Sequence, residues 1–161
     1  NKRMKILDII AEPIRFYGIA TNRSEVEDRV ISLLKRVGLP ADALNRYPHQ
    51  FSGGQRQRIA VARTLASKPK MIICDEPTSA LDVSVQAHVL NLLKDLQDEY
   101  NLTLLFISHD LPVVRQMCDD IAVLKDGKIV EIGDAEAIFD SPQHPYTQHL
   151  IHLMPHMEGR R

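Results

Sequence analysis

The stretch MIICDEP, Met71–Pro77, decides the fold of this chain of 161 residues. Four apolar residues precede two acids, a pattern typical of a strand that is buried on both faces of a parallel sheet. Parallel α/β sheets bind ligands at the carboxyl ends of their strands. There Asp75 suits Mg²⁺ through a water ligand, and Glu76 can orient or deprotonate an attacking water molecule. The dipeptide alone also fits an ordinary acidic loop.

The residues downstream of this stretch extend the α/β pattern. Apolar residues at helical spacing over 85–96 predict a helix, and the run LTLLFIS, Leu102–Ser108, predicts a second buried strand. Asp126-Gly127 between two apolar segments predicts a hairpin. His109 follows the second strand and is expected at the same sheet edge as Asp75. It can contact a terminal phosphate there, or serve a structural role.

The first 50 residues have a mainly helical character. Residues 4–17 carry a helical pattern, with a kink or break expected near Pro13. Ser24 with Glu27 fits a capping box at the start of a second helix, which Gly38 is expected to end. We therefore predict an α/β protein in which a helical subdomain precedes a layer with a parallel sheet.

The stretch FSGGQ opens the helix between these two parts. Ser52 is a favourable N-cap residue, and Gly53 and Gly54 leave the backbone N–H groups of the first turn accessible. The positive end of the helix dipole lies at the same place, so the turn suits a phosphate group. A plain helix cap would explain the same residues.

Composition excludes several classes of protein. The net charge of −1 does not support a broadly nucleic-acid-binding surface, and no apolar run reaches the length of a membrane-spanning helix. The two cysteines, Cys74 and Cys118, are too few for a disulfide scaffold and lack metal-ligand spacing. We expect a protein of a reducing compartment.

The motifs gain specificity from their order. FSGGQ, DEP, SALD and a histidine after a strand follow one another as in the ATP-binding-cassette (ABC) ATPases, which the chain closely resembles over essentially its whole length. The resemblance implies a partial P-loop NTPase core with ATP and Mg²⁺ as ligands. The family's signature sequence corresponds to Ser52, Gly53, Gly54 and Gln55. Its D-loop corresponds to Ser79, Ala80, Leu81 and Asp82.

The resemblance also implies the roles of the acidic residues and of the histidine. The Walker B strand is Met71–Asp75, with Asp75 holding Mg²⁺ through water, Glu76 as the catalytic carboxylate and His109 as the switch histidine. Such cassettes pack head to tail. The signature turn would thus close over the γ-phosphate of a nucleotide held by a second ABC ATPase subunit, identical or different. The acids and the histidine would serve ATP bound to the same subunit.

The tail narrows the resemblance. The segment SPQHPYTQHLIHLMP, Ser141–Pro155, is similar to the C-terminal segment of the ATPase subunits of bacterial oligopeptide, dipeptide, glutathione and nickel importers. This implies ATP hydrolysis coupled to uptake of a peptide or related solute. The implied partners are transmembrane permease subunits and, indirectly, a solute-binding protein, with no nucleic acid. The implied location is peripheral, on the cytoplasmic face of the membrane.

One motif of the family has no counterpart in the sequence. The pattern G-x-x-x-x-G-K-[ST], the loop that wraps nucleotide phosphates, does not occur in it. We therefore expect the C-terminal portion of an ATPase. Residues 1–65 would be the helical subdomain, 66–140 the Walker B half of the core and 141–161 the importer-type tail. This portion alone is expected to be inactive and to self-associate through open strand edges.

Two alternatives stay open. ABC ATPases without a transport role act in DNA repair, chromosome organisation or translation. They usually carry coiled coils, zinc modules or a second cassette, none of which is visible in this sequence. In the second alternative, the chain is a non-catalytic module that pairs with a complete cassette, although unpaired sheet edges are unfavourable in a stand-alone protein.

Overall fold

The computed structural model describes residues 3–154 of the chain. Their Cα positions group into two compact units, unit 1 up to Leu105 and unit 2 from Phe106 onward. The end of the predicted tail, residues 155–161, lies outside the described part. The subdomain limits predicted at residues 65 and 140 stay predictions.

Helices dominate the first part of unit 1. They are α1 (Ile6–Phe16), α2 (Arg23–Arg36) and α3 (Gly53–Leu65), and they pack against one another. Two short 3₁₀ turns, Ala41–Asn45 and Pro48–Gln50, connect α2 to α3. Fully buried apolar residues recur every fourth position of α1 and α2, namely Ile6, Ile10, Ile14, Val26, Val30 and Leu34. Each of these two helices therefore turns one apolar stripe toward a common core.

The start of α2 differs from the predicted capping box of Ser24 with Glu27, and that prediction is wrong. The side chain of Asn22 caps the helix by accepting a hydrogen bond from the backbone N–H of Glu25 at 2.8 Å. Asparagine is as good an N-cap residue as serine, and Asn22 lies earlier in the chain. The helix therefore begins before Ser24 can act as its cap.

The end of α2 is as predicted. Gly38 has a φ of 71°, the left-handed conformation that ends many helices, just past the last helical residue. The Arg58 guanidinium of α3 donates a hydrogen bond to the Val37 carbonyl at 3.5 Å. A cation is favourable at the negative end of a helix dipole, so α3 stabilises the end of α2.

A small sheet follows the helices. It consists of β1 (Met71–Asp75) and β2 (Thr103–Ile107), which pair with each other and are connected through α4 (Val83–Tyr100). A helical crossover of this kind joins parallel strands. The α/β fold class with a parallel sheet is thereby confirmed.

The prediction that these strands are buried on both faces is wrong for the described residues. Ile72 and Cys74 of β1 are buried, whereas Ile73 between them is 64% exposed. In β2 the same alternation exposes Leu105 and Ile107. A continuous apolar run shows that both faces are hydrophobic, but the described residues cover one face far better than the other.

Unit 2 combines a hairpin with short helices. The hairpin consists of β3 (Asp120–Lys125) and β4 (Lys128–Asp134), and the helices are α5 (Leu111–Met117), α6 (Ala135–Asp140) and α7 (Pro145–His152). Asp126 and Gly127 have φ values of 50° and 74°, as a type I′ turn requires, so the predicted hairpin is confirmed. Every helix within residues 3–154 is too short or too polar to span a membrane.

Candidate nucleotide site

The turn at Ser52 has the geometry of a reciprocal helix cap. The Ser52 Oγ accepts a hydrogen bond from the Gln55 backbone N–H at 3.3 Å, and the Gln55 Oε1 accepts one from the Ser52 backbone N–H at 3.0 Å. The hydroxyl proton of Ser52 is not used in this pair. The N–H groups of Gly53 and Gly54 belong to the first helical turn, where no intrahelical acceptor exists. The turn therefore retains donors for a phosphate oxygen.

The carboxylates at the end of β1 are both exposed, and the backbone between strand and helix is unusual. Glu76 has a φ of 42°, a left-handed conformation that costs a non-glycine residue about 1–2 kcal/mol. The backbone N–H and the hydroxyl of Ser79 both donate to the Glu76 carbonyl, at 3.3 and 3.1 Å. Strain of this kind is concentrated at functional sites. The turn holds the Glu76 backbone by two hydrogen bonds, and the residue is exposed.

The segment predicted as the D-loop ends in a helix cap. The Asp82 carboxylate accepts hydrogen bonds from the Val85 backbone N–H at 2.9 Å and from the Ser84 hydroxyl at 2.8 Å. These two bonds lower the pKa of Asp82, so the group is charged at neutral pH. A charged N-cap also interacts favourably with the dipole of α4. The geometry thus gives Asp82 a structural role at the start of α4.

One cavity of about 390 Å³ lies between the start of α3 and the turn after β1. Residues of all three predicted motifs line it together with neighbours, namely Gly53, Arg56, Gln57, Glu76, Pro77, Ser79, Ala80 and Leu81. The lining does not include Ser52, Gly54, Gln55, Asp75 or Asp82. The chain thus places part of the signature turn, Glu76 and most of the D-loop around a common space.

Arg56 and Gln57 are cavity residues that the motif-based prediction did not include. They lie three and four positions after Gly53, so they share one face of α3 with it. Helical periodicity alone was therefore sufficient to predict that these two residues lie on the same face of α3 as Gly53. Arg56 and Glu76 are thus residues of opposite charge in the lining of one cavity.

His109 belongs to unit 2 and directly follows β2. Its side chain is exposed, and the residues on either side fix the backbone. The Asp110 backbone N–H donates to the Ser108 Oγ at 3.0 Å, and the Asp110 carboxylate caps α5 by accepting from the Val113 N–H at 3.4 Å. The expected position of His109 at the same sheet edge as Asp75 stays a prediction.

Hydrogen bonds donated to Glu131 attach the importer-type tail to the hairpin of unit 2. The two carboxylate oxygens accept hydrogen bonds from the backbone N–H groups of Gln143, at 2.7 Å, and His144, at 3.0 Å. The nearby Thr147 hydroxyl and these backbone N–H groups lower the pKa of Glu131. Thr147 is 2% exposed and its hydroxyl has no hydrogen bond of standard geometry, so it acts on Glu131 as a nearby dipole.

The residues of the HPYT sequence each contribute to this attachment. His144 caps α7 because its Nδ1 accepts a hydrogen bond from the Tyr146 backbone N–H at 3.1 Å. Pro145 occupies the first helical position, where a missing N–H has no cost. The Lys125 ammonium of β3 lies over the Tyr146 ring, 5.0 Å from its centre. The HPYT segment is therefore attached to the β3–β4 hairpin.

Comparison with known families agrees with these features. Residues 2–79 match the ABC transporter family, and residues 130–161 match the oligopeptide/dipeptide transporter C-terminal region. These two regions hold the signature turn and the tail, respectively. The chain thus carries sequence of the ABC transporter family, followed by an oligopeptide/dipeptide transporter C-terminal region.

Curated relatives carry importer names. The chain is 52% identical over 155 residues to the dipeptide transport ATP-binding protein DppF of Lactococcus lactis subsp. cremoris, covering 96% of this chain and 50% of that protein. It is 54% identical to the oligopeptide transport ATP-binding protein OppF of Streptococcus mutans, again covering 96% and 50%. The chain therefore spans about half the length of the curated relatives it matches.

Solved structures of cassettes share the fold. A dimeric ATP-binding cassette in a post-hydrolysis state, bound to ADP and Pi, is 34% identical with a TM-score of 0.73, covering 84% of this chain and 58% of that one. A metal-chelate type ABC transporter in an inward-facing conformation is 29% identical with a TM-score of 0.79, covering 94% and 59%. The structural similarity thus extends over most of the chain.

Proposed function

We propose that the chain serves in an ATP-binding and ATP-hydrolysing subunit of an ABC importer that takes up peptides or related small solutes. The observation that carries this proposal is the identity of 52–54% to importer ATP-binding proteins over 96% of the chain. The match of residues 130–161 to the importer-type C-terminal region supports the transport role. The capped signature turn supports phosphate binding.

The residues divide into two groups in this proposal. Ser52 and the glycines after it donate hydrogen bonds to the γ-phosphate of a nucleotide held by a second subunit. Glu76 aligns the attacking water for ATP held by its own subunit, and His109 contacts the γ-phosphate of that ATP. The dimeric state of the similar cassette bound to ADP and Pi is consistent with this division.

The carboxylate at the end of β1 suits a magnesium nucleotide. Mg²⁺ commonly uses one or two carboxylates, with phosphate oxygens and water as its other ligands. Asp75 offers one exposed carboxylate at the end of β1, and no described group of three or more acidic, histidine or cysteine side chains forms a complete metal cage. Bound Mg²⁺ would neutralise phosphate charge. The chain's own contribution is positioning and charge stabilisation, with no covalent intermediate.

The partners follow from the importer role. The helices α1 to α3 dock on a transmembrane permease at the cytoplasmic face of the membrane, and a solute-binding protein delivers the solute. Because the phosphate-loop pattern is absent from the 161 residues, these residues by themselves bind ATP weakly and show no steady turnover.

A transport assay tests this function. The full-length protein, reconstituted with its permease in vesicles, should hydrolyse ATP and accumulate a peptide inside when ATP is present. Co-purification with nucleic acid or ribosomes instead of a permease, with ATPase activity but no uptake, would favour the non-transport alternative. Tight ATP binding and steady hydrolysis by residues 1–161 alone would contradict the assignment of the phosphate site.

A further inference from the structure

The second glycine of the signature turn is in contact with the first turn of α4. A Cβ added to Gly54 would lie 2.2 Å from the Val85 Cγ1, a distance that real Cβ atoms essentially never show. Gly54 is buried and helical, and its φ is not in the left-handed region. Glycine is therefore required at this position for space, because the valine methyl occupies the place of a side chain.

This contact joins two turns that are each held by their own caps. On one side, Ser52 and Gln55 cap each other and fix the first turn of α3. On the other side, Asp82 accepts from the Val85 N–H and ties the first turn of α4 to the D-loop. The added Cβ at Gly53 would meet the Leu81 Cδ2 at 3.4 Å, an ordinary contact. The steric constraint is thus concentrated at one pair of residues.

We propose that Val85 is a positioning residue that sets the signature turn against the D-loop through its contact with Gly54. The inference rests on the proposed function and names a residue outside its motifs. Val85 does not reach the nucleotide in this proposal. It fixes the distance between the donors of the Ser52 turn and the segment that carries Glu76, and a misplacement of about 1 Å can lower a rate about 100-fold.

A size exchange in the full-length protein tests the proposal. Gly54→Ala adds a methyl group where Val85 stands, and we expect turnover at saturating ATP to fall about 100-fold. Val85→Ala removes two methyl groups from the same place. The double variant Gly54→Ala/Val85→Ala should therefore recover turnover to within about 10-fold of wild type. Equilibrium ATP binding should stay within about 2-fold throughout, because a positioning defect lowers kcat without removing ground-state binding.

Val83 provides the matched control. It is a valine of the same helical turn and is 85% exposed, so Val83→Ala should not rescue Gly54→Ala. If Gly54 were needed only for close approach to a phosphate, the Val85 exchange would give no recovery. Thermal melting shows whether the double variant is folded, and an ATPase assay measures its turnover. A folded double variant that turns over ATP no faster than Gly54→Ala alone would overturn the proposal.

A second comparison keeps the proposal testable if the double variant does not fold. Val85→Thr preserves the branched shape and should retain wild-type turnover, whereas Val85→Ala should lower kcat several-fold with unchanged ATP binding. Equal turnover of these two variants would then overturn it. An inactive wild-type protein would instead contradict the proposed function itself, so the two failures are distinguishable.

Discussion

Two regions of unit 1 have similar apolar content and different surroundings. In the helical region, Ile10 and Leu34 are fully buried between helices. In β1, Ile73 is 64% exposed although its neighbours Ile72 and Cys74 are buried. The helical region thus closes its own core, whereas the strand has one open face. An apolar pattern therefore shows which faces of an element are hydrophobic. Whether such a face is buried depends on the residues that pack against it.

The residues with proposed chemical roles lie beside the open strand and at the start of α3. The exposed Glu76 follows directly after β1, and the signature turn lies across the cavity from it. Substitutions at these residues or on the open face of β1 should therefore change activity or association. Substitutions in the buried core of the helical region should change stability instead.

The largest effect is expected at Glu76. Glu76→Gln in the full-length protein should lower ATP turnover by about 100-fold or more, because a group that orients or deprotonates water contributes that much. ATP binding and the melting temperature should be close to wild type, since the side chain is exposed. Turnover at the wild-type rate in a steady-state assay would remove Glu76 from its proposed role.

A substitution in the buried core of the helical region should lower the stability of the protein. Leu34→Ala removes a fully buried side chain, and we expect the free energy of unfolding to fall by about 2–5 kcal/mol. Ile73→Ala is the matched control in the 161-residue chain, with an expected change of at most about 0.5 kcal/mol. Urea unfolding followed by circular dichroism measures both. Equal losses would show that the open face of β1 is covered in solution.

Association should respond at the open face. Ile73→Lys places a charge on an exposed apolar strand, which discourages edge and face contacts between copies. Sedimentation of the 161-residue chain should show less self-association than wild type at the same concentration. A wild-type chain that is already monomeric at high concentration would contradict the predicted association through open strands.

The smallest effect is expected at the tail. Hydrogen bonding lowers the pKa of Glu131 in the folded protein, so its contribution to docking α7 is present above the ordinary glutamate pKa and is lost as pH falls through the lowered value. The protection of the α7 amides against hydrogen exchange, measured relative to their intrinsic rates at the same pH, should fall in that acidic range. Glu131→Gln should give faster exchange already at neutral pH, with little further change on acidification.

Much of the fold was predictable because local rules determined it. The Asp126-Gly127 hairpin and the end of α2 at Gly38 depend on backbone conformations that few residues allow. The cap of α2 was mispredicted because Asn22 and Ser24 are equivalent N-cap residues, and the pattern does not rank them.

The site was predictable in part for a similar reason. Motif order predicted the signature turn and Glu76 as site residues because these motifs are short and local in sequence, and their roles stay predictions. The contact of Gly54 with Val85 was not predictable, because it depends on how two helices far apart in sequence approach each other. The exposed face of β1 was missed because its coverage is a property of the assembly and not of the strand.

The cap of α7 fixes the chemical form of one imidazole. Since the His144 Nδ1 accepts the Tyr146 N–H, the ring carries its hydrogen on Nε2. The HPYT sequence thus selects one tautomer of this imidazole, with Nδ1 as the acceptor nitrogen and Nε2 as the donor nitrogen.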